Sequence, residues 1–127
     1  DHTTSENIRH TKKFVVALPS EDQKKTALDL GSVHGRDVGN KLQIKDVKTE
    51  KSQKFGLDVM SGALAYFECE LQDEMLFEEK GICLSKVVNV YVKDDSWDDK
   101  EECFNPGFKR TLHHVTGSTF CSGGELV

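Results

Sequence analysis

The sequence predicts a mainly β, α+β fold in which short helices pack at the edge of an antiparallel sheet or barrel. Two observations support this prediction. Several segments alternate or run continuously in β-forming residues, and helix-capping residues are confined to a few short stretches. With 127 residues, the chain is expected to form one domain, residues 1–127.

A short helix followed at once by a strand is predicted at the start of the chain. Thr3 and Glu6 have the spacing of a capping box, so a helix is expected to run to about Thr11. The continuous apolar segment Phe14–Leu18 is ended by Pro19 and predicts a strand that is buried on both faces.

A second helix and a long irregular region are predicted next. Ser20 and Gln23 have the spacing of another capping box, and Gly31 is expected to end this helix. The glycine-punctuated loop "HGRDVGNK" follows, in which Asp37 is a candidate cap for a short helical turn. The lysine-rich, weakly patterned segment Lys41–Gly56 is interpreted as a surface excursion.

Two long antiparallel strands are predicted in the second half. From Ala63 the residues alternate, which predicts a half-buried strand with its polar side chains, Glu68 and Glu70 among them, on a solvent face. Ile82–Val92 predicts a second, valine-rich strand that pairs with the first through the acidic connection 73–81. Residues 108–127 are expected to supply a last short strand or two.

Charge and cysteine content limit the possible partners. The net charge of −5, from 22 acidic and 17 basic residues, disfavours a nucleic-acid partner. No apolar segment approaches the ~18 residues of a membrane span, and no signal-peptide pattern is present. The four cysteines show neither CxxC nor zinc-ligand spacing, and Cys69 and Cys83 lie in strand-like patterns that favour buried thiols. Reduced cysteines and a cytoplasmic location are therefore expected.

No metal site is predicted. An EF-hand loop beginning at Asp94 would need glycine at its sixth position, where Asp99 stands, so the acidic segment is interpreted as a solvated loop. His113 and His114 are adjacent and on a strand would face opposite sides, so they cannot chelate one ion together.

Two segments are candidates for binding an anion. In "DHTTSEN", the threonine hydroxyls and the N-terminus of the first helix offer donors to a phosphate, although Glu6 would occupy one donor and repel an anion. In "SVHGRDVGNK", His34, Gly35 and Arg36 form a candidate anion-facing loop; the alternative is a surface arginine paired with Asp37.

Five segments in order resemble the flavin reductase-like family of FMN-binding split barrels, the flavoredoxin type. They are "TTSENIRHTKKFVVALPSEDQ", "ALDLGSVHGRDVGNK", "GALAYFECEL", "VVNVYV" and "HHVTGSTFCSGGE". The order and spacings agree with the family over nearly the whole chain.

The resemblance implies an FMN-binding split β-barrel with short helices packed at its edge, of which this chain is the C-terminal two thirds. The family's early barrel strands, and a Thr/Ser-rich segment that holds much of the FMN, are absent from this sequence. A barrel without these strands exposes hydrogen-bonding edges, so we expect a second chain or the missing segment to cover them. The family also implies a homodimer.

The resemblance further implies a set of FMN-binding residues. Thr4 matches a threonine that would help to hold the FMN phosphate, and His114 and Gly117 match the closing motif, in which Phe120 replaces tyrosine. Two further positions depart from the family, since His2 replaces arginine and His34 replaces serine. The cofactor-binding set so predicted is His2, Thr3, Thr4, His34, Gly35, Arg36 and His114.

The implied function is that of an FMN-dependent oxidoreductase, which moves hydride or electrons between NAD(P)H, flavin and an acceptor, with no side chain as nucleophile. Many members of the family carry Gly-Asp-His where this chain has Glu78, Glu79 and Lys80. That departure leaves two alternatives open: an FMN-binding electron carrier without efficient NAD(P)H use, and a non-catalytic remnant subunit.

Overall fold

The computed structural model describes residues 3–33, 47–105 and 107–125. Its helices are α1 (Thr3–Thr11), α2 (Lys24–Ser32) and α3 (Glu74–Lys80), with 3-10 turns at Glu21–Gln23 and Asp94–Ser96. Its strands are β1 (Lys13–Leu18), β2 (Thr49–Lys51), β3 (Asp58–Met60), β4 (Ala65–Leu71), β5 (Ser85–Val92), β6 (Trp97–Asp98), β7 (Cys103–Phe104), β8 (Leu112–Thr116) and β9 (Thr119–Ser122). The predicted α+β class is confirmed.

A three-stranded antiparallel sheet in the order β1-β4-β5 organises the described part of the chain. The predicted antiparallel pairing of the two long strands is confirmed, with Phe67 opposite Val90 and, on the other side, opposite Val16. Three two-stranded hairpins accompany this sheet: β2–β3, β6–β7 and β8–β9. The last of them confirms the predicted short strands near the C-terminus.

Local signals mark the end of the first helix and the start of the second helical segment. Helix α1 ends at Thr11 as predicted, and Lys12 then takes a positive φ of 58° that turns the chain into β1. The second capping box is confirmed, because the Ser20 N–H donates to Gln23 Oε1 at 3.1 Å. Helix α2 continues one residue past Gly31, the predicted stop, and ends at Ser32.

Two segments expected to be irregular contain regular structure. The end of the predicted surface excursion is strand β2, which forms a hairpin with β3. The acidic connection contains α3, whose first turn is capped by Asp73 Oδ1, which accepts from Leu76 N at 2.8 Å. The helix ends at Gly81, in the left-handed conformation (φ 69°), whose N–H donates to the Phe77 carbonyl.

The small core lies between the β1-β4-β5 sheet and the β2–β3 hairpin. Val59, Ala63 and Tyr66 are buried there, and Val15 and Ala17 of β1 pack against them. On the opposite face of β1, Val16 is 49% exposed. The prediction that this strand is buried on both faces is therefore wrong, because β1 is an outer strand that packs on the core through one face only.

Glu68, predicted to face solvent, is 0% exposed. Its carboxylate accepts hydrogen bonds from the backbone N–H groups of Lys54 (2.9 and 3.0 Å) and Phe55 (2.8 Å) and from Asn89 Nδ2 (2.6 Å). Burial by itself raises the pKa of Glu68, but these hydrogen bonds and one from Ser52 outweigh burial and hold the pKa below its ordinary value. The carboxylate thus fastens the turn between β2 and β3 to the sheet.

The sheet face that points away from the core is apolar and partly exposed. Directly opposed residues of neighbouring strands share a face, so Val16, Phe67 and Val90 form one row, and Cys69 and Val87 belong to the next. Val16, Val87 and Val90 are 49%, 49% and 52% exposed. Among the described residues, β1 and β5 pair with no strand other than β4.

The four cysteines are free thiols that differ in burial. Cys69 is buried as predicted, but Cys83 is exposed because β5 begins only at Ser85. No disulfide joins the described cysteines. None of the helices in the described ranges is long and apolar enough to cross a membrane.

Candidate functional site

A cavity of about 450 Å³ lies between the C-terminal half of α2 and the β8–β9 hairpin. Its volume is within the ~300–1,000 Å³ range of small-molecule sites. Its walls are mainly apolar, with one imidazole and one hydroxyl. The lining residues are Ala27, Leu28, Gly31, Ser32, His114, Gly117 and Phe120.

The hairpin geometry places the two aromatic rings of this cavity side by side. Gly117 lies in the turn with a positive φ of 51°, a conformation that glycine adopts without steric cost. His114 on β8 is directly opposite Phe120 on β9. Their ring centroids are 4.8 Å apart, with the ring planes inclined by 44°.

A hydrogen bond across the turn orients the His114 ring. His114 Nε2 lies 2.9 Å from the carbonyl oxygen of Gly117. A carbonyl oxygen can only accept, so Nε2 carries the proton. In the neutral ring Nδ1 is then a bare acceptor.

One described cation approaches this cavity. Lys24 Nζ lies 5.8 Å from the centroid of the Phe120 ring, within the range of a cation–π contact. None of the lining residues is itself a lysine or arginine. The electrostatic character of the described walls is therefore nearly neutral.

The structure brings only part of the predicted cofactor set to this cavity. His114 lines it, whereas Thr3 and Thr4 lie in the first turn of α1 and are not among its lining residues. His2, His34, Gly35 and Arg36 lie outside the described residues.

Arg9 of α1, and Lys12 just after this helix, form ion pairs with side chains of α3. Arg9 Nε and Glu78 Oε1 are 2.9 Å apart, and the Arg9 guanidinium lies 5.1 Å from the centroid of the Phe77 ring. Lys12 Nζ and Glu74 Oε2 are 2.8 Å apart. Glu78, at the position where the family motif Gly-Asp-His was expected, therefore takes part in a contact between two helices.

Other cavities among the described residues contain no predicted site residue, and two of them lie beside aromatic side chains. One, of about 240 Å³, lies beside the stacked rings of Tyr66 and Tyr91, whose centroids are 4.8 Å apart. The other, of about 440 Å³, lies on the apolar sheet face beside Trp97 and Phe104. Trp97 packs edge-on against Phe104, so the acidic segment expected to be a solvated loop contains a hairpin with an aromatic contact.

Sequence reasoning missed the α2 side of the main cavity. Ala27 and Leu28 are apolar residues of a short helix, and such residues look the same in a sequence whether they line a core or a cavity. Phe120 was noticed only through the resemblance, as a replacement for tyrosine. Nothing local in the sequence indicates that α2 meets the C-terminal hairpin.

Comparisons with known proteins agree with this architecture. The family model described as "Flavin reductase like domain" matches residues 1–115. The chain is 28% identical over 126 residues to the uncharacterized protein YddH of Escherichia coli K12, an alignment that covers 98% of this chain and 66% of YddH. The chain thus spans slightly less than two thirds of that relative.

Solved structures show the same fold. The FMN-binding domain of a flavin reductases-like enzyme from Shewanella baltica superposes with a TM-score of 0.84 at 22% identity, covering 99% of this chain and 68% of that one. Flavoredoxin of Desulfovibrio vulgaris gives a TM-score of 0.76 at 12% identity, covering 99% and 67%. The chain has the fold of FMN-binding flavoproteins. It belongs to the flavin reductase-like family.

Proposed function

We propose that this protein is an FMN-dependent oxidoreductase that moves hydride or electrons between NAD(P)H, flavin and an acceptor. The observation that supports the proposal is the cavity between α2 and the β8–β9 hairpin, where His114 and Phe120 present adjacent rings in a chain of the flavin reductase-like family.

The residues of this cavity suit one end of a flavin. Apolar walls from Leu28 and Phe120 suit the faces and edges of a planar ring, and His114 offers a polar atom to its rim. The predicted phosphate ligands are Thr3 and Thr4 of α1, together with His2, His34, Gly35 and Arg36. FMN, when bound, supplies the redox chemistry by accepting hydride or electrons and passing them on.

The side chains themselves would bind and orient the cofactor. Leu28 and Phe120 would exclude water from one end of the ring, and His114 would set its orientation. No described side chain of this cavity needs to act as a nucleophile, since the flavin itself takes up and releases the electrons.

An electron carrier without efficient NAD(P)H use is the second candidate. Glu78, at the position of the expected Gly-Asp-His motif, is paired with Arg9 between α1 and α3. While it is paired with Arg9, the Glu78 side chain is poorly placed to contact a bound nicotinamide. FMN would still bind in this case, and another protein would supply the electrons.

We also propose that the chain corresponds to the C-terminal two thirds of a split barrel and that the protein forms homodimers. The exposed valines of the β1-β4-β5 sheet support both proposals, because such an apolar face marks an interaction surface. The partners proposed for the assembled protein are flavin and nicotinamide molecules.

Titration of the purified protein with FMN, followed by flavin absorbance and fluorescence, tests the proposal. We expect saturable binding that is weakened at least about tenfold by Phe120→Ala, because the ring contact is lost. Val115→Ala is the matched control, since Val115 is 59% exposed on the same hairpin and does not line the cavity. The control should bind FMN like the wild type.

Rapid mixing of the FMN-loaded protein with NADH and with NADPH separates the two candidates. Bleaching of the flavin band by either nucleotide supports the oxidoreductase. A flavin that dithionite reduces but neither nucleotide does supports the carrier. Absence of any FMN binding contradicts both.

A further inference from the structure

We propose that the cavity of about 240 Å³ beside Tyr66 and Tyr91 binds a small zwitterion such as an α-amino acid. The ammonium group of the ligand would lie toward Glu50 and its carboxylate toward Lys93. This tyrosine cavity shares no lining residue with the cavity between α2 and the β8–β9 hairpin. The inference therefore concerns a second ligand site and does not depend on the proposed function.

The sheet and the β2–β3 hairpin bring the walls of the tyrosine cavity together. Glu50 lies on β2, Tyr66 on β4 and Tyr91 on β5, and Lys93 directly follows β5. Tyr66 and Tyr91 are opposite each other in the sheet, and their rings stack with centroids 4.8 Å apart and planes inclined by 16°. The cavity thus combines a preformed aromatic wall with one carboxylate and one ammonium group.

Hydrogen bonds fix one of the two rings. The Tyr66 hydroxyl accepts from the Ala63 N–H at 3.1 Å and donates to the Met60 carbonyl oxygen at 2.9 Å. Tyr66 is only 3% exposed. Because this ring is already held in place, the binding of a ligand does not have to order it.

The two charged side chains of the cavity lack ionic partners. Within the described ranges, neither Glu50 nor Lys93 takes part in an ion pair, and they do not pair with each other. A ligand with a single charge would satisfy one of them and leave the other unpaired. A zwitterion satisfies both, and this observation favours it over a simple amine or carboxylic acid.

The phenol groups indicate where the positive charge of the ligand belongs. Burial raises the pKa of Tyr66 to about 12, and the Glu50 carboxylate adds to this rise. Burial also raises the pKa of Tyr91, and the charges of Glu68 and Glu50 raise it further. The electrostatic field of the carboxylates at both hydroxyls is negative. An ammonium group is therefore favoured at this end, where it also lies close to aromatic rings.

The volume of the cavity limits the size of the ligand. About 240 Å³ is less than the ~300–1,000 Å³ that is typical of small-molecule sites. A flavin is consequently too large for this cavity, whereas an amino acid of a few carbon atoms is not.

Three compounds with the same carbon skeleton test the proposal. Norvaline carries both charges, butylamine only the positive one and pentanoate only the negative one. Because Tyr66 and Tyr91 are the two tyrosines of the sequence, NMR of protein labelled in its tyrosine rings reports on this cavity alone. In titrations at neutral pH, we expect norvaline to bind about threefold or more tighter than either of the other compounds.

Glu50→Gln and Lys93→Gln assign the two charges. Glu50→Gln should weaken norvaline and butylamine about threefold or more and leave pentanoate unaffected. Lys93→Gln should weaken norvaline and pentanoate by a similar factor and leave butylamine unaffected. Both side chains are exposed, so neither exchange should disturb folding. Lys86→Gln is the control, because Lys86 lies on β5 but does not line the cavity.

Three results would overturn the inference. They are tyrosine signals that do not respond to norvaline at high millimolar concentration, equal affinities for the three compounds, and a loss of norvaline affinity in Lys86→Gln as large as in Lys93→Gln. These titrations contain no flavin, so their outcome is separate from that of the FMN titration.

Discussion

Glu68 shows how much one buried side chain contributes to the order of its surroundings. A carboxylate without solvent contact is costly unless it is hydrogen-bonded. Lys54 and Phe55 supply such bonds from backbone N–H groups of the turn that precedes β3, and Asn89 and Ser52 supply others from their side chains. Removal of the charge should therefore loosen the hairpin that covers the core.

Glu68→Gln should lower the free energy of unfolding by about 1–3 kcal/mol at neutral pH. The glutamine side chain has only one acceptor oxygen, and its NH2 group would face donors that the carboxylate had satisfied. The pKa of Glu68 is lowered in the folded state, so the ionised form stabilises the fold above the ordinary carboxyl pKa. This contribution is lost as the pH falls through the folded value. The difference between wild type and variant should shrink accordingly in acid.

Urea unfolding at several pH values measures this effect. Glu70→Gln is a matched control on the same strand and should change the free energy of unfolding by less than about 0.5 kcal/mol. A constant difference between wild type and Glu68→Gln at every pH would contradict the role assigned to the charge.

Helix α3 shows how local signals define an element that pairs with a distant one. Asp73 caps its start, and Gly81 ends it in a left-handed conformation. Its side chains form ion pairs with Arg9 of α1 and with Lys12, the residue that follows α1, through Glu78 and Glu74. The Lys12–Glu74 pair is largely exposed, so it contributes little by itself, and the ends of the helix are set by its caps.

Gly81→Ala should destabilise the protein by roughly 1–2 kcal/mol, because a Cβ is unfavourable in the left-handed region. Apart from its neighbours in the chain, no described atom lies within 4 Å of the position that this Cβ would occupy, so the cost would come from backbone conformation and not from a clash. Gly124→Ala is the control, since its surroundings are equally open and its φ is not positive. Thermal unfolding of the two variants makes the comparison, and equal midpoints would contradict the argument.

The whole molecule presents an apolar sheet face that the described residues leave half exposed. Val16, Val87 and Val90 lie on this face, and the outer strands of the sheet are without further partners in the described ranges. Exposed apolar surface of this kind favours association, and it matches the homodimer proposed for this protein.

Val90→Lys should disrupt that association, because a lysine would bring a charge into the apolar contact. Light scattering coupled to size exclusion should give the wild type twice the chain mass of 14.3 kDa and the variant a mass nearer to one chain. Val115→Lys, a change at an exposed valine on the β8–β9 hairpin, should leave the mass unchanged. A wild type that stays monomeric at high micromolar concentration would contradict the dimer.

Some features could be predicted from the sequence because they depend on residues a few positions apart. The Ser20–Gln23 capping box and the end of α1 near Thr11 are of this kind. The pairing of β4 with β5 could be predicted because these two strands follow one another along the chain. The caps of α3 were equally local signals and could have been found. The order of the motifs also predicted the family, which the match over residues 1–115 confirmed.

By itself, the sequence determined the helix caps and the family. The reason is that caps depend on hydrogen bonds between residues a few positions apart, and the family can be identified from the order of its motifs along the chain. Tertiary structure alone decided that Glu68 is buried, that Val16 is exposed and that His114 meets α2 across a cavity. Alternation along a strand shows which side chains share a face, but burial depends on what the rest of the chain packs against that face. That packing arises from contacts between residues far apart in the sequence.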